Sequence, residues 1–308
     1  MSQLVDLKVG FTCNNNCIHC VVSDKKHESD LSFDEIKALI ENYISEYSQI
    51  ILTLTGGEIT YREDYGKIMR FVKEKKEAGS IKFVDLQTNG RMLSNDKVLE
   101  SSINVVDFYL IALHSSSPQI HDYITSSPSS FYETTLALSK LVTKVDVNSI
   151  AIQTVISKVN YKGLTEVYKF AHEHYGIREF NITFPHPLGV AYDNEITPTY
   201  SEIKNSVNGA LKYCLGKDIS PYLEALPYCI FEEKLRTYAL EIYKKRTQDV
   251  VGFGGKKDGH IDYKKALEDG YSKYDTCKKC EYDDVCAGVW KEYKQLYPLE
   301  DMHQMFNQ

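Results

Sequence analysis

Several kinds of sequence feature are scarce or missing, and each absence narrows the field. No run among the 308 residues is long and apolar enough to cross a bilayer. The start, Met1-Ser2-Gln3-Leu4-Val5-Asp6, lacks the basic and then apolar layout of a signal peptide. Both absences predict a cytoplasmic protein in a reducing compartment, where thiols serve metals more often than disulfides. Positive charge is not in excess either. The 36 Lys and Arg stand against 43 Asp and Glu, a formal net charge of -7, so there is no global basic footprint and duplex nucleic acid is a poor generic partner. Cysteine is missing between Cys20 and Cys214, which splits the eight cysteines into three at the start and five in the last third. That clustering favours two metal sites over a disulfide framework. Repeats and low-complexity tracts are also absent. What remains is a 43% hydrophobic chain, long enough for one barrel with an appendage.

The first 185 residues alternate between two periodicities. Apolar, strand-like segments lie at 4–12, 49–55, 82–88, 104–114, 148–157 and 178–185, and amphipathic helix-like segments at 33–47, 63–78, 95–102, 130–144 and 161–175. Ser32 followed by Glu35 forms a capping-box pattern before the first helix. Alternation of this kind predicts an α/β fold with a parallel sheet and right-handed crossovers, and leaves barrel and open sheet as alternatives. The pattern breaks at Pro185-His186-Pro187-Leu188-Gly189. Helical stretches follow at 198–215 and 229–246, then a Gly- and charge-rich segment, 252–274, read as a loop with a short helix, and a cysteine cluster.

Two motifs sit at strand ends. Cys13-Asn14-Asn15-Asn16-Cys17-Ile18-His19-Cys20 follows the first apolar run, and Thr53-Leu54-Thr55-Gly56-Gly57-Glu58 closes the second. Three thiolates at this spacing can hold three irons of a [4Fe–4S] cubane and leave the fourth iron open for a second molecule. In this order, the two motifs resemble those of the radical S-adenosylmethionine (SAM) superfamily. The resemblance implies a partial (β/α)6 TIM-like barrel over residues 1–188, with its site at the C-terminal strand ends, as barrel physics also favours. It implies that Cys13, Cys17 and Cys20 hold the cluster, that SAM binds its open iron, and that a 5′-deoxyadenosyl radical removes a substrate hydrogen. Gly56, Gly57 and Glu58 would receive the methionyl amino group, the glycines permitting close backbone approach. Polar residues at later strand ends, Thr88, Asn89, Ser115 and Gln153, are candidates for SAM contacts, against ordinary loop hydrogen bonds; His114 is a candidate for contact with SAM or substrate and for a catalytic role. The competing reading of the first cysteines is a zinc site completed by His19, which otherwise packs in the loop. His121 is a further, weaker candidate.

The C-terminal run Cys277-Lys278-Lys279-Cys280-Glu281-Tyr282-Asp283-Asp284-Val285-Cys286 resembles the core of the SPASM and twitch extensions of that superfamily. The place of the next cysteine in that pattern is taken here by Trp290. The departure favours one auxiliary [4Fe–4S] cluster in a small cysteine-rich domain, 189–308, with Cys229 as the fourth ligand; structural zinc is the alternative. Cys214, at an apolar position of a helix, reads as a buried inert thiol, or as a hydrogen donor to a substrate radical if it faces the active mouth.

The expected substrate is a ribosomally made peptide that undergoes a crosslink or another oxidative change. The alternatives are a small molecule (sugar, nucleoside or amino acid) and a non-catalytic iron–sulfur or zinc scaffold or sensor. The first strand begins near residue 4, which leaves no recognition domain ahead of the barrel, so a peptide would dock at the mouth or on a partner. Tyr263, Tyr271, Tyr274, Tyr282, Tyr293 and Tyr297 could line a groove or fill the core. Lys244-Lys245-Arg246, Lys256-Lys257 and Lys278-Lys279 could meet an acidic leader or an electron donor such as flavodoxin or ferredoxin, or form solvated loops.

Overall fold

The computed structural model describes residues 2–236, 250–256 and 259–297. Its centre is one sheet with the strand order β7-β6-β5-β4-β3-β2-β1-β8-β9. The first six strands are β1 (Gln3–Lys8), β2 (Ile50–Thr55), β3 (Ile81–Thr88), β4 (Phe108–Ala112), β5 (Ile150–Val155) and β6 (Glu179–Thr183), close to the expected positions and all parallel. The helices between them are α1 (Phe33–Tyr47), α2 (Tyr65–Glu77), α3 (Asp96–Ile103), α4 (Pro118–Thr125), α5 (Ser130–Leu141) and α6 (Leu164–Tyr175). The Ser32 and Glu35 capping box forms in full at the start of α1.

The sheet does not stop at residue 188. After α7 (Val190–Asp193) and α8 (Tyr200–Cys214), β7 (Ser220–Glu224) joins β6 in parallel. β8 (Val250–Phe253) lies parallel to β1 on the other side, and β9 (His260–Asp262) pairs antiparallel with β8. Pro221 hides β7 from a sequence reading; it is tolerated because β7 is an edge strand with a single neighbour. Of the helix expected at 229–246, the start is not α-helical, since residues 228–230 and 233–235 form 3-10 turns; 237–246 lie outside the described residues. The segment 252–274, expected as a loop with a short helix, holds a short helix, α9 (Tyr263–Gly270), but also the end of β8, β9 and β10 (Tyr271–Ser272), which pairs with β11 (Val289–Trp290) ahead of α10 (Lys291–Leu296).

Period-two alternation sets the two faces of the sheet. Val5, Leu7, Leu52, Leu54, Val84, Leu86, Tyr109, Ile111, Ile152 and Ile182 are buried against the helices. The other face is the lumen of a half-open barrel, with a polar set: Thr53 donates to Asp85 at 3.4 Å, Thr55 to Gln87 at 3.1 Å, Gln153 to Thr183 at 3.4 Å and Thr183 to Glu224 at 3.1 Å.

Candidate active site and cysteine centres

Beyond β1 the chain stays attached to β2. Val9 N–H donates to the Thr55 carbonyl at 3.2 Å, Gly57 N–H to the Gly10 carbonyl at 2.8 Å and Glu58 N–H to the Thr12 carbonyl at 2.9 Å. The Gly-Gly-Glu turn is thereby stapled to the residues just ahead of Cys13. A Cβ on Gly56, whose φ is +128°, would lie 2.3 Å from the Gly10 carbonyl oxygen, and one on Gly57 would lie 2.3 Å from that of Thr12. The close backbone approach expected toward a ligand is here made to the cysteine loop itself.

Glu58 is 2% exposed. Its Oε1 accepts from Thr60 N–H (3.1 Å), Thr60 Oγ1 (2.5 Å) and Thr88 Oγ1 (2.7 Å), and its Oε2 from Asn89 N–H (2.6 Å). Burial pushes its carboxyl above the usual range, while these bonds pull it back. Glu58 and Thr88 thus shape the end of β3. Asn89 reaches the cysteine loop, its Nδ2 donating to Asn14 Oδ1 at 2.7 Å and lying 3.9 Å from Cys13 Sγ.

The loop has further supports that sequence reading missed. Arg91 donates to the Asn14 carbonyl and, at 2.7 Å, to Asn15 Oδ1, while its Nε holds Glu133 at 2.5 Å. Lys26 donates to the Asn15 carbonyl at 3.0 Å. The end of α4 accepts from the loop backbone: Asn16 N–H bonds the Thr125 carbonyl and Ile18 N–H that of Ile124, both at 2.9 Å. No motif announces Arg91 or α4, because each is distant in sequence, and Lys26 lies just outside the cysteine motif.

Cys13, Cys17 and Cys20 are half-buried. Burial first, and mutual proximity after it, pushes the Cys17 thiol up to about 12; burial pushes that of Cys13 up to about 11. The donor set bears on which metal fits. Tetrahedral zinc with bonds of about 2.3 Å brings its sulfur ligands within about 4 Å of one another. Among the described residues, no three cysteine sulfurs lie within 4.8 Å of one another; the one His, Cys and carboxylate group that close is Cys17, His19 and His114. Cys13, Cys17 and Cys20 do not all close to within 4.8 Å of one another, as a single ion would require and a cubane would not.

Two histidines pack behind the loop and meet His19, which belongs to it. His114 is 3% exposed and His121 1%; their rings stack at 5.7 Å, and His19 meets His114 edge-on at 4.6 Å. Burial pulls His19 and His121 down to about 4 and His114 well below its usual value, so the row is neutral. His114 Nδ1 accepts from Val155 N–H at 3.4 Å, and its carbonyl from Asn160 Nδ2 at 2.9 Å. The catalytic candidate His114 is thus placed behind the loop, buried, and bonded to Val155 and Asn160. Ser115 is 6% exposed, and its Oγ accepts from Ser117 N–H at 3.0 Å. Gln153 faces the lumen, as its bond to Thr183 shows.

Of its two readings, Cys214 takes that of the buried thiol, not that of the hydrogen donor. It ends α8, six residues before β7 starts, and crossover helices run opposite to their strands. It therefore lies at the N-terminal edge of the sheet, opposite Cys13, and is 2% exposed with its thiol pushed up to about 12 by burial. It cannot reach a radical at the mouth.

The structure brings the second thiol set to one place. Cys229, Cys277, Cys280 and Cys286 line one cavity together with Tyr228 and Gly288. Burial, followed by the nearness of Cys286, Cys277 and Cys280, pushes the Cys229 thiol up to about 12. Trp290 stacks on His186 at 4.0 Å and on Tyr271 at 4.2 Å, packing the cysteine-rich segment against the chain after β6. Tyr271, Tyr274 and Tyr293 are buried, so they fill the core rather than line a groove; the Tyr297 hydroxyl donates to the Thr197 carbonyl at 2.5 Å, and Tyr282 stacks on Tyr228. Lys256 pairs with Glu35 and Lys278 with Asp275. Lys244-Lys245-Arg246 lies outside the described residues. An open cavity of about 580 Å³ reaches Cys229 and Cys280 from outside, with Lys204, Arg236, Lys279 and Glu281 in its wall.

Replacing Cys229 by serine is expected to lower the iron content of the reconstituted protein by about half, from about eight to about four per chain. Iron analysis with absorbance near 400 nm checks this; unchanged iron would remove Cys229 from the ligand set.

The radical SAM superfamily matches residues 7–171. A probable GTP 3′,8-cyclase of Sulfurisphaera tokodaii is 29% identical over 214 residues, 68% of this chain and 64% of that protein. One of Sulfolobus acidocaldarius is 30% identical over 218 residues, 67% of this chain and again 64% of the relative. The match thus spans less than two thirds of those relatives' length. Among solved structures, Streptococcus suis SuiB bound to precursor peptide SuiA superposes with a TM-score of 0.68 at 11% identity, covering 96% of this chain and 73% of SuiB. AnSMEcpe with bound AdoMet and the Cp18Cys peptide gives 0.59 at 14% identity, covering 100% and 98%. These two likenesses are of fold.

Proposed function

Because this chain belongs to the radical SAM superfamily, we propose that it is a peptide-modifying radical SAM enzyme with a second iron–sulfur cluster. Cys13, Cys17 and Cys20 would hold the first [4Fe–4S] cluster. When bound, that cluster and SAM supply a 5′-deoxyadenosyl radical that takes a hydrogen atom from the substrate. Asn89, Arg91, Lys26 and the end of α4 fix the loop, and Gly56, Gly57 and Glu58 set its height over the lumen. Cys229, Cys277, Cys280 and Cys286 would hold the auxiliary cluster in a segment that we assign to residues 189–308. An external donor of the flavodoxin or ferredoxin class would supply the electron, in the cytoplasm.

The observation that carries this reading is the convergence of Cys229 with the three distant cysteines on one cavity. A peptide substrate is supported by likeness to two peptide-bound structures over at least 96% of this chain. A second reading, cyclisation of a nucleotide, is favoured by the 29% and 30% identity to the probable GTP 3′,8-cyclases.

The test is anaerobic. Protein reconstituted with iron and sulfide is reduced, given SAM, and supplied with a degenerate octapeptide pool or with GTP. We expect 5′-deoxyadenosine from the wild type, raised by the peptide pool, and at least about a hundredfold less from a Cys17→Ala variant. Stimulation by GTP alone would favour the cyclase reading. No 5′-deoxyadenosine under any condition from protein holding both clusters would favour a scaffold or sensor.

A further inference from the structure

The lumen carries a charge pattern that no motif records. The inward positions of β1–β7 bear four carboxylates, Asp6, Asp85, Glu179 and Glu224, and one cation, Lys8. Lys8 lies 2.7 Å from Asp6. Asp85 sits in register with Thr53 and through it with Asp6, and only Thr53 bonds it, weakly, at 3.4 Å. Among the described residues no cation pairs with Asp85 or Glu224.

Two buried acceptors are left without a donor. Asp85 Oδ1 has no hydrogen-bond partner, and neither has Asn181 Oδ1. Asn181 is 9% exposed and stands beside Gln153 and Tyr222 in the strand register, on the lumen face. Buried acceptors without donors are costly and rare in folded proteins. Two of them, on β3 and on β6, point to a group that brings its own N–H bonds when it enters. A net negative lumen with orphaned acceptors repels phosphates and favours a cation.

We propose that the lumen is a specificity pocket for the cationic end of a basic side chain, with Asp85, Asn181 and Glu224 as its receiving groups. The ligand class is an ammonium or guanidinium carried by a peptide. The proposal rests on the peptide reading above and gives it a chemical selectivity. It also separates the two functional readings, since a nucleoside triphosphate has the wrong charge for this pocket.

The experiment uses the reconstituted holoenzyme with SAM under anaerobic conditions. Binding of Nα-acetyl-lysine amide, Nα-acetyl-arginine amide, Nα-acetyl-norleucine amide and GTP is measured by calorimetry. One or both cationic amides should bind at least about tenfold tighter than the norleucine amide, a preference that one charged contact supplies. Asp85→Asn and Glu224→Gln should each reduce that preference severalfold, and the outcome for lysine against arginine tells ammonium from guanidinium. Iron content and visible absorbance confirm that each variant holds its clusters; should one fail to load, the other carries the test. Equal binding of norleucine, absent binding of the cationic amides, or a preference that both variants leave untouched overturns the pocket. If octapeptides still drive 5′-deoxyadenosine formation in that case, the peptide reading survives the loss of the pocket. If GTP binds and alone drives it, both fall.

Discussion

Replacing Gly57 with alanine is expected to strip the proposed first iron–sulfur cluster, at Cys13, Cys17 and Cys20, and leave the proposed second in place. The added methyl group would sit 2.3 Å from the Thr12 carbonyl oxygen and 2.6 Å from the Phe11 carbonyl carbon. Both are backbone atoms, so no side-chain rotation relieves the clash. The segment that must move is the one that leads into Cys13, held by Gly57 N–H on Gly10 and Glu58 N–H on Thr12. Overpacking costs about 1–3 kcal/mol in cores that can adjust, and here adjustment displaces the ligand loop. Iron should fall by about half and 5′-deoxyadenosine formation by at least about a hundredfold, while Cys229, Cys277, Cys280 and Cys286 keep their share. Gly163→Ala is the control, since nothing lies within 4 Å of a Cβ there. Full iron in Gly57→Ala would show that the turn does not brace the loop.

Asp85→Asn should make the ligand-free protein more stable at pH 8 than the wild type, with little difference below pH 4. Burial, opposed by the Thr53 bond and reinforced by the charge of Asp6, raises the Asp85 carboxyl from 3.8 to about 7. Its neighbours are Thr53 on β2 and, on β1, Asp6 with its partner Lys8. The sign follows from linkage. The folded state holds the proton more tightly than the unfolded chain, so the stability it contributes is complete below 3.8 and is lost as pH rises through about 7. The full difference is on the order of 4 kcal/mol. Asparagine keeps the shape and never ionises. Urea unfolding of apoprotein across pH 4 to 8, wild type against variant, measures it; a gap that does not widen with pH would refute the assignment. The same strain explains why a site built to receive a cation is costly while empty.

The sequence by itself determined the parts governed by local rules. Periodicity placed β1 to β6 and the helices α1, α2, α3, α5, α6 and α8 within a few residues, because burying one face of a strand or helix needs a pattern of period two or 3.6. The two cysteine groups and the Gly-Gly-Glu turn were legible because ligand spacing and glycine backbone needs are written in consecutive residues. β7 escaped because Pro221 disqualifies a central strand and only the edge position excuses it. Cys214 and His114 could not be judged from sequence, since the same residue is inert or reactive according to which end of the sheet, and which depth, it occupies.

What only the tertiary structure decided were relations between distant residues. Arg91 and Lys26 on the cysteine loop, Glu58 under the end of β3, Cys229 beside Cys286, and Asp85 and Asn181 in one lumen each join residues that no short motif contains. The polar residues at alternate strand positions were in plain view. Their meaning was not, because period two gives a strand two faces and does not say which one closes into a barrel. Curvature of the sheet settles that, and with it the sign of the charge that the lumen presents.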